Sequence, residues 1–244
     1  LRDGKGCRFL LSVLTERGTT DVFCYAVSID TNNRFLVHYG QERNGKLFCK
    51  EGCIMAEVYT FRVRLCELKN VIWRDIEITS VSSVAKLGYA VLAAFDSTAS
   101  HLFNIRFKGR RYEIMFDEDD FFGEPVFDPV HTKLSALKLK AGNRLSMEYD
   151  YGAGWEFEIK LLSITGMERG RGRHYPYVAG GKGKGIIEDT SPYELAEIIE
   201  KTNKDGILPK ITDGYSGEET VWDYRNFDLA YCNMFFKNDV LGIQ

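Results

Sequence analysis

Several things are scarce in this chain, and each scarcity excludes a class of protein. No apolar run approaches the ~20 residues that cross a bilayer as a helix; the longest is YAVLAAF, Tyr89 to Phe95. No membrane partner is therefore expected. Proline is rare, at 5 of 244 residues, and the 23 glycines follow no triplet repeat, which excludes collagen-like and Pro-rich low-complexity chains. Net charge is small, −3 at pH 7, which argues against the strongly basic surface that coats nucleic acid. Arg2 and Lys5 precede an apolar stretch, but a long apolar core and a small-residue cleavage site are missing, so no secretory signal is read. Leu1 is not an initiator, so the natural start is expected upstream. The expected location is cytoplasmic. No Ser-His-Asp elbow, H-E-x-x-H or cysteine-nucleophile pattern is present.

The six cysteines are scattered through a chain long enough to build its own core, and reduced thiols are expected. Cys49 and Cys53 form C-x3-C, with Cys24 and His38 upstream, but structural zinc usually shows a second tight pair. No metal site and no cofactor are assigned.

What is present reads as an ordinary globular protein, 44% hydrophobic and 27% charged. Residues 1–54 hold short β-like runs divided by turn signals, a small β-rich extension ahead of a main domain at 55–244. In VYTFRVRL, Tyr59, Phe61, Val63 and Leu65 alternate with polar residues, the period of a half-buried strand. VIWRDIEI repeats the pattern with Ile72, Ile76 and Ile78 on one face. A helix follows at helical spacing, Val84, Leu87, Val91, Leu92 and Phe95, capped by Ser82 or Ser83. Gly88 inside it costs up to about 1 kcal/mol against Ala, so close packing is expected there. HLFNIRF and RRYEIMF form a hairpin, as do RLSMEYDY and WEFEIKLLSI through Gly152-Ala153-Gly154. Met167 to Gly185 shows no periodicity and reads as a glycine-rich loop, and PYELAEIIEKT is a helix with Ser191 as cap and Pro192 at its first position. Locally paired strands without βαβ alternation predict an α+β fold, a mostly antiparallel sheet with packed helices.

VYTFRVRL, VIWRDIEI, HLFNI, YDYGAGWEFEI, YPYVAGGKGKGIIED, PYELAEII and FDLAYCN occur in order from residue 55 to about 236. The series resembles the plasmid pRi open-reading-frame-three-like family, also described as insertion-element passenger or TnpR-like proteins. The resemblance implies an α+β domain linked to plasmids and mobile elements and brings no established reaction. The chain departs from the family pattern at several places. Leu87-Gly88 stands for Leu-His, Asp96-Ser97 for Gly-Trp, Ala153 for an acid and Phe157 for a histidine. Ile186-Ile187-Glu188-Asp189 lacks the flanking cysteines of the family segment.

Three constellations carry the functional expectations. Asp150, with Glu148, Glu156 and Glu158, can offer oxygen ligands or a general acid, or Asp150 can simply brace its turn. His101 opens a strand beside apolar residues. Met167 to Gly185 interleaves Arg169, Arg171, Arg173, Lys182 and Lys184 with Tyr175 and Tyr177, a composition suited to phosphates and bases. The leading expectation is a non-enzymatic binding or interaction module with a ligand cleft at His101, Asp150, Trp155, Glu188 and Asp189. The alternatives are a metal-assisted hydrolase or phosphodiester-processing enzyme on the same acids, and nucleic-acid binding through the basic loop. A nucleic acid or a protein is the partner these readings allow.

Overall fold

The computed structural model describes residues 10–14, 23–29, 35–43, 46–52, 57–114, 125–167, 174–212 and 219–236. The chain divides into two compact units, Leu1–Ala56 and Glu57–Gln244. In the first, β1 (Leu10–Leu14), β2 (Phe23–Ile29), β3 (Phe35–Arg43) and β4 (Lys46–Gly52) pair antiparallel in chain order.

The second unit begins with β5 (Glu57–Leu65), β6 (Trp73–Thr79) and α1 (Val84–Ala94). Next come β7 (Phe103–Phe107), β8 (Arg110–Glu113), β9 (Val126–Phe127), β10 (Arg144–Tyr149), β11 (Trp155–Gly166) and β12 (Tyr177–Lys182). The chain then runs through α2 (Pro192–Asp205), β13 (Lys210–Thr212), β14 (Glu219–Val221) and α3 (Leu229–Phe235). Eight strands form one sheet in the order β12-β6-β5-β11-β10-β7-β8-β9, antiparallel throughout except for β8 with β9. With three α-helices among the described residues, the architecture is α+β with a modest helical share.

The period of two decides which side chains are buried. Tyr59, Phe61, Val63 and Leu65 of β5 join Leu145, Met147 and Tyr149 of β10 and Trp155, Phe157, Ile159 and Leu161 of β11 in one core with α1. The other face is polar and paired across strands. Arg62 donates to both oxygens of Asp75 at 2.7 and 2.6 Å, and its guanidinium lies 4.0 Å from the centre of the Trp73 ring. Arg144 reaches Glu158 at 3.2 Å.

α1 sits where capping and steric fit place it. Ser83 Oγ accepts from the Lys86 N–H and starts the helix. Gly88 faces the Phe103 ring so closely that a β-carbon there would stand 2.2 Å from Cε2. The helix ends in a Schellman arrangement, with the Ser97 N–H donating to the Leu92 carbonyl and Asp96 left-handed at φ 59°.

Arg74 holds the core face together. It falls in register with Ile72, Ile76 and Ile78 and is 1% exposed. Nε donates to the Ala94 carbonyl at 2.8 Å, and Nη1 donates to the carbonyls of Trp73 and Lys182, each at 2.9 Å. The rings of Phe95 and Phe227 lie 5.0 and 4.2 Å from the guanidinium carbon. Ala94 closes α1, so the helix presents the negative end of its dipole to this cation. Burial pulls the arginine below its usual value, with Asp96 acting in the opposite sense.

β12 departs from the reading of 167–185 as a loop without regular structure, because residues 177–182 pair with β6. Gly181 on the strand and Gly185 just beyond it are where neighbours come too close for side chains, while Gly180 faces open space. A β-carbon on Gly181 would meet the Phe227 ring at 2.7 Å, and one on Gly185 the Phe95 carbonyl oxygen at 2.0 Å. Such a strand carries no alternating apolar pattern for a reader to find. From α3, Asn233 clasps the strand: the Val178 N–H donates to Oδ1, and Nδ2 donates to the Val178 carbonyl, both at 2.9 Å.

Two stability changes follow, both measurable by chemical denaturation. Arg74→Met leaves three carbonyls without their donor and is expected to cost about 3 kcal/mol or more; Arg74→Lys, lacking the planar fork, recovers little. Gly88→Ala should destabilise by about 1–3 kcal/mol through overpacking despite alanine's better helix propensity, and adding Phe103→Leu should return part of that loss.

Candidate functional site

Three loops meet at the end of the sheet where β10 turns into β11. The first is the exit from α1, Asp96 to Leu102. The second is the β10–β11 turn, Asp150 to Gly154, and the third is the stretch Gly185 to Asp189 ahead of α2. Asp96, Ala99, Asp150 and Asp189 all hold positive φ, between 49° and 59°. Each such non-glycine residue costs on the order of 1–2 kcal/mol.

Asp150 pins the turn. Its Oδ1 accepts from the N–H groups of Gly152 and Ala153 at 3.1 and 3.2 Å, and the Gly154 N–H donates to its carbonyl at 2.7 Å. The Asp150 N–H in turn donates to the Leu102 carbonyl, which draws His101 alongside. His101 Nε2 stands 3.7 Å from Asp150 Oδ2, an ion pair once the ring is protonated but too long for a hydrogen bond. The imidazole also meets the Tyr149 ring edge-on at 6.0 Å.

Tyr149 carries the connection to Glu188. Its hydroxyl lies 3.5 Å from each Glu188 oxygen. Glu188 Oε1 is already held by Ser97 Oγ at 2.7 Å, the Thr98 N–H at 2.7 Å and Thr98 Oγ1 at 3.1 Å. The α1 terminus sets these donors in place: the left-handed Asp96 turns the chain toward Glu188, and its Oδ2 accepts from the Gly185 N–H at 2.9 Å. The family pattern that the chain resembles has glycine where Asp96 stands, the ordinary residue for this helix-end position. The Gly88 position, histidine in that pattern, is closed by Phe103.

Of the residues singled out in the sequence, His101, Asp150 and Glu188 are thus linked through Tyr149. Trp155 is 1% exposed and lies beneath the turn, while Asp189 is exposed beside Glu188. Glu148, Glu156 and Glu158 occupy the polar face instead: Glu148 accepts from Asn104 at 3.1 Å and Glu158 pairs with Arg144. Among the described residues, no three His, Cys, Asp or Glu side chains converge as metal ligands. Cys232 is buried, and its thiol is pushed up to about 11, chiefly by burial.

The basic segment stands apart from this cluster. Arg169, Arg171 and Arg173 lie outside the described residues. Lys182 is on β12, four strand spacings or roughly 19 Å across the sheet from β10; its Nζ lies 3.4 Å from the Asn70 carbonyl. Tyr175 is half-buried, as is Lys184. The backbone N–H groups of Lys184, Gly185 and Ile186 donate to the Tyr224 carbonyl, Asp96 and the Phe95 carbonyl, so they form no anion nest. Reading the sequence missed Ser97 and Thr98, which carry no motif, and Arg74, whose even register with three isoleucines was the available signal.

Fold and site together define an antiparallel α+β domain with a braced polar cluster at one end of its sheet. Residues 57–233 match the family described as Plasmid pRiA4b ORF-3-like protein, and the chain belongs to it. It is 25% identical over 109 residues to an uncharacterized protein, y4hQ, of Sinorhizobium fredii, a match spanning 44% of this chain and 55% of that one. The crystal structure of a protein of unknown function, MM3350 from Methanosarcina mazei Go1, shares the fold with a TM-score of 0.59 and 20% identity, over 72% of this chain and 96% of that one.

The bracing role of Asp150 has a direct test. Asp150→Asn keeps both the acceptor and a tolerance for left-handed backbone, and should stay within about 0.5 kcal/mol of the parent. Asp150→Ala loses both and should cost about 1–2 kcal/mol in urea denaturation. Equal losses in the two variants would shift the weight to the charge facing His101.

Proposed function

We propose that the protein is a non-enzymatic binding module whose ligand docks over His101 and Asp150 at the β10–β11 end of the sheet. The observation that supports this reading is how the carboxylates are used. Asp150 Oδ1 takes two backbone donors and Glu188 Oε1 takes three donors, so these oxygens hold loops in place. Metal-assisted hydrolysis needs carboxylate oxygens free to enter the metal's shell, with a position left for water. The side chains exposed at the same end are suited to contact: the His101 side chain is 44% exposed, Leu102 42% and Tyr151 41%. An aromatic, an aliphatic and a titratable ring beside a fixed acid resemble the anchors of recognition surfaces.

Metal titration of the full chain separates this reading from the hydrolase. Mg²⁺, Mn²⁺ and Zn²⁺ should show no saturable binding up to about 1 mM, and bis(p-nitrophenyl) phosphate should not be cleaved in their presence. Stoichiometric metal that disappears in Asp150→Asn, or cleavage abolished by His101→Ala, would sink the binding reading.

A further inference from the structure

We infer that the groove between the end of β5, the start of β11 and the start of α2 is a second site, one that takes a cationic side chain: an ammonium or guanidinium on an aliphatic stem. This goes beyond the docking surface at His101: the groove shares Gly154 and Trp155 with the β10–β11 end, but the side chains that would grip an occupant, Glu67, Glu156 and Tyr193, take no part in that surface. Its volume is about 210 Å³. That suits one long side chain and falls below the ~300–1,000 Å³ of drug-sized sites.

The lining names the ligand's chemistry. Leu65, Leu68, Pro192 and Trp155, all buried, form the apolar floor beneath a stem, and the exposed Tyr193 supplies the aromatic surface. Tyr193 is 69% exposed, free to fold over an occupant. Glu67 and Glu156 add two carboxylates, both exposed and neither ion-paired with an Arg or Lys among the described residues. Aromatic surface plus carboxylates is the combination that recognises ammonium and guanidinium groups. The field in the groove has the matching sign. The Cys66 thiol, which also lines it, is raised first by burial and then by the charges of Glu156, Glu158 and Glu67, with Lys69 opposing.

An anion finds little here, although a helix begins at the groove. Pro192 brings no N–H to the first turn of α2. The Glu194 N–H is taken by Ser191 Oγ at 3.3 Å, and the Glu194 carboxylate is folded back on Ser191, accepting from its N–H at 2.7 Å. The helix start therefore offers a capping box and an extra negative charge.

The test is an NMR titration of the full chain with N-acetyl-lysine methylamide and N-acetyl-arginine methylamide, using N-acetyl-norleucine methylamide as the uncharged control. The amide resonances of Cys66 and Gly154 report on the groove. Either cation should shift them saturably, and norleucine should bind about tenfold more weakly or not at all. Glu67→Gln with Glu156→Gln should weaken the cation by about tenfold, and Tyr193→Ala by about threefold to fivefold. Glu200→Gln, about 12 Å along α2 from Pro192, controls for overall charge and should change nothing. Equal binding of norleucine, unchanged affinity in the double glutamine variant, or no saturable shift with either cation overturns the inference.

Discussion

A guanidinium in the hydrophobic core is the constraint on which the rest of this domain depends. A lone charge in that environment is costly, and Arg74 is tolerated because three carbonyls and two aromatic faces surround it. Those partners belong to four parts of the chain: β6 itself, the last turn of α1, the end of β12 and the segment before α3. The arginine cannot be satisfied unless all four are in place. It therefore fixes where α1 stops, and the stop decides where Ser97 and Thr98 emerge to hold Glu188. The polar cluster inherits its geometry from a residue that does not touch it.

This arrangement explains why the acids read as scaffold. Asp150 and Glu188 sit on loops with left-handed residues, and such backbone persists only where surrounding contacts over-determine it. Five donors on two carboxylate oxygens supply those contacts. The glycine-rich segment is similar. Composition suggests a pliant phosphate grip, but three successive N–H groups are spent on the protein's own acceptors, and bare backbone lies flush against the core. Membership in the plasmid pRiA4b ORF-3-like family agrees with the architecture and carries no reaction with it.

How much could be read beforehand varied with the kind of signal. Alternation on β5, β10 and β11, the capping of α2 and the hairpin at Asp150 depend on neighbours in sequence, and all were legible. β12 was not, because glycine erases the alternation on which strand recognition rests. Arg74 was legible in principle: a period of two that buries Ile72 and Ile76 buries residue 74 as well, and charge alone hid it. The partners of Glu188 stand about 90 positions earlier in the chain, and no local pattern encodes such a meeting. His101 and Asp150 were expected in one cleft from the order of their motifs, and the backbone link from Asp150 to Leu102 is the contact that brings them together.

The clasp of Asn233 on Val178 has a consequence for how the sheet ends. β12 is an outermost strand, and outermost strands expose donors and acceptors that invite another chain to add on. A primary amide offers the same donor–acceptor pair as a peptide group, so at Val178 the side chain of α3 stands in for the missing neighbour. The strand is stoppered at its second residue, leaving only residues 179–182 beyond the clasp, a short stretch for a foreign partner. At the opposite border β9 is only two residues long. Both margins of the eight-stranded sheet thus discourage runaway growth, one by a plug and the other by brevity.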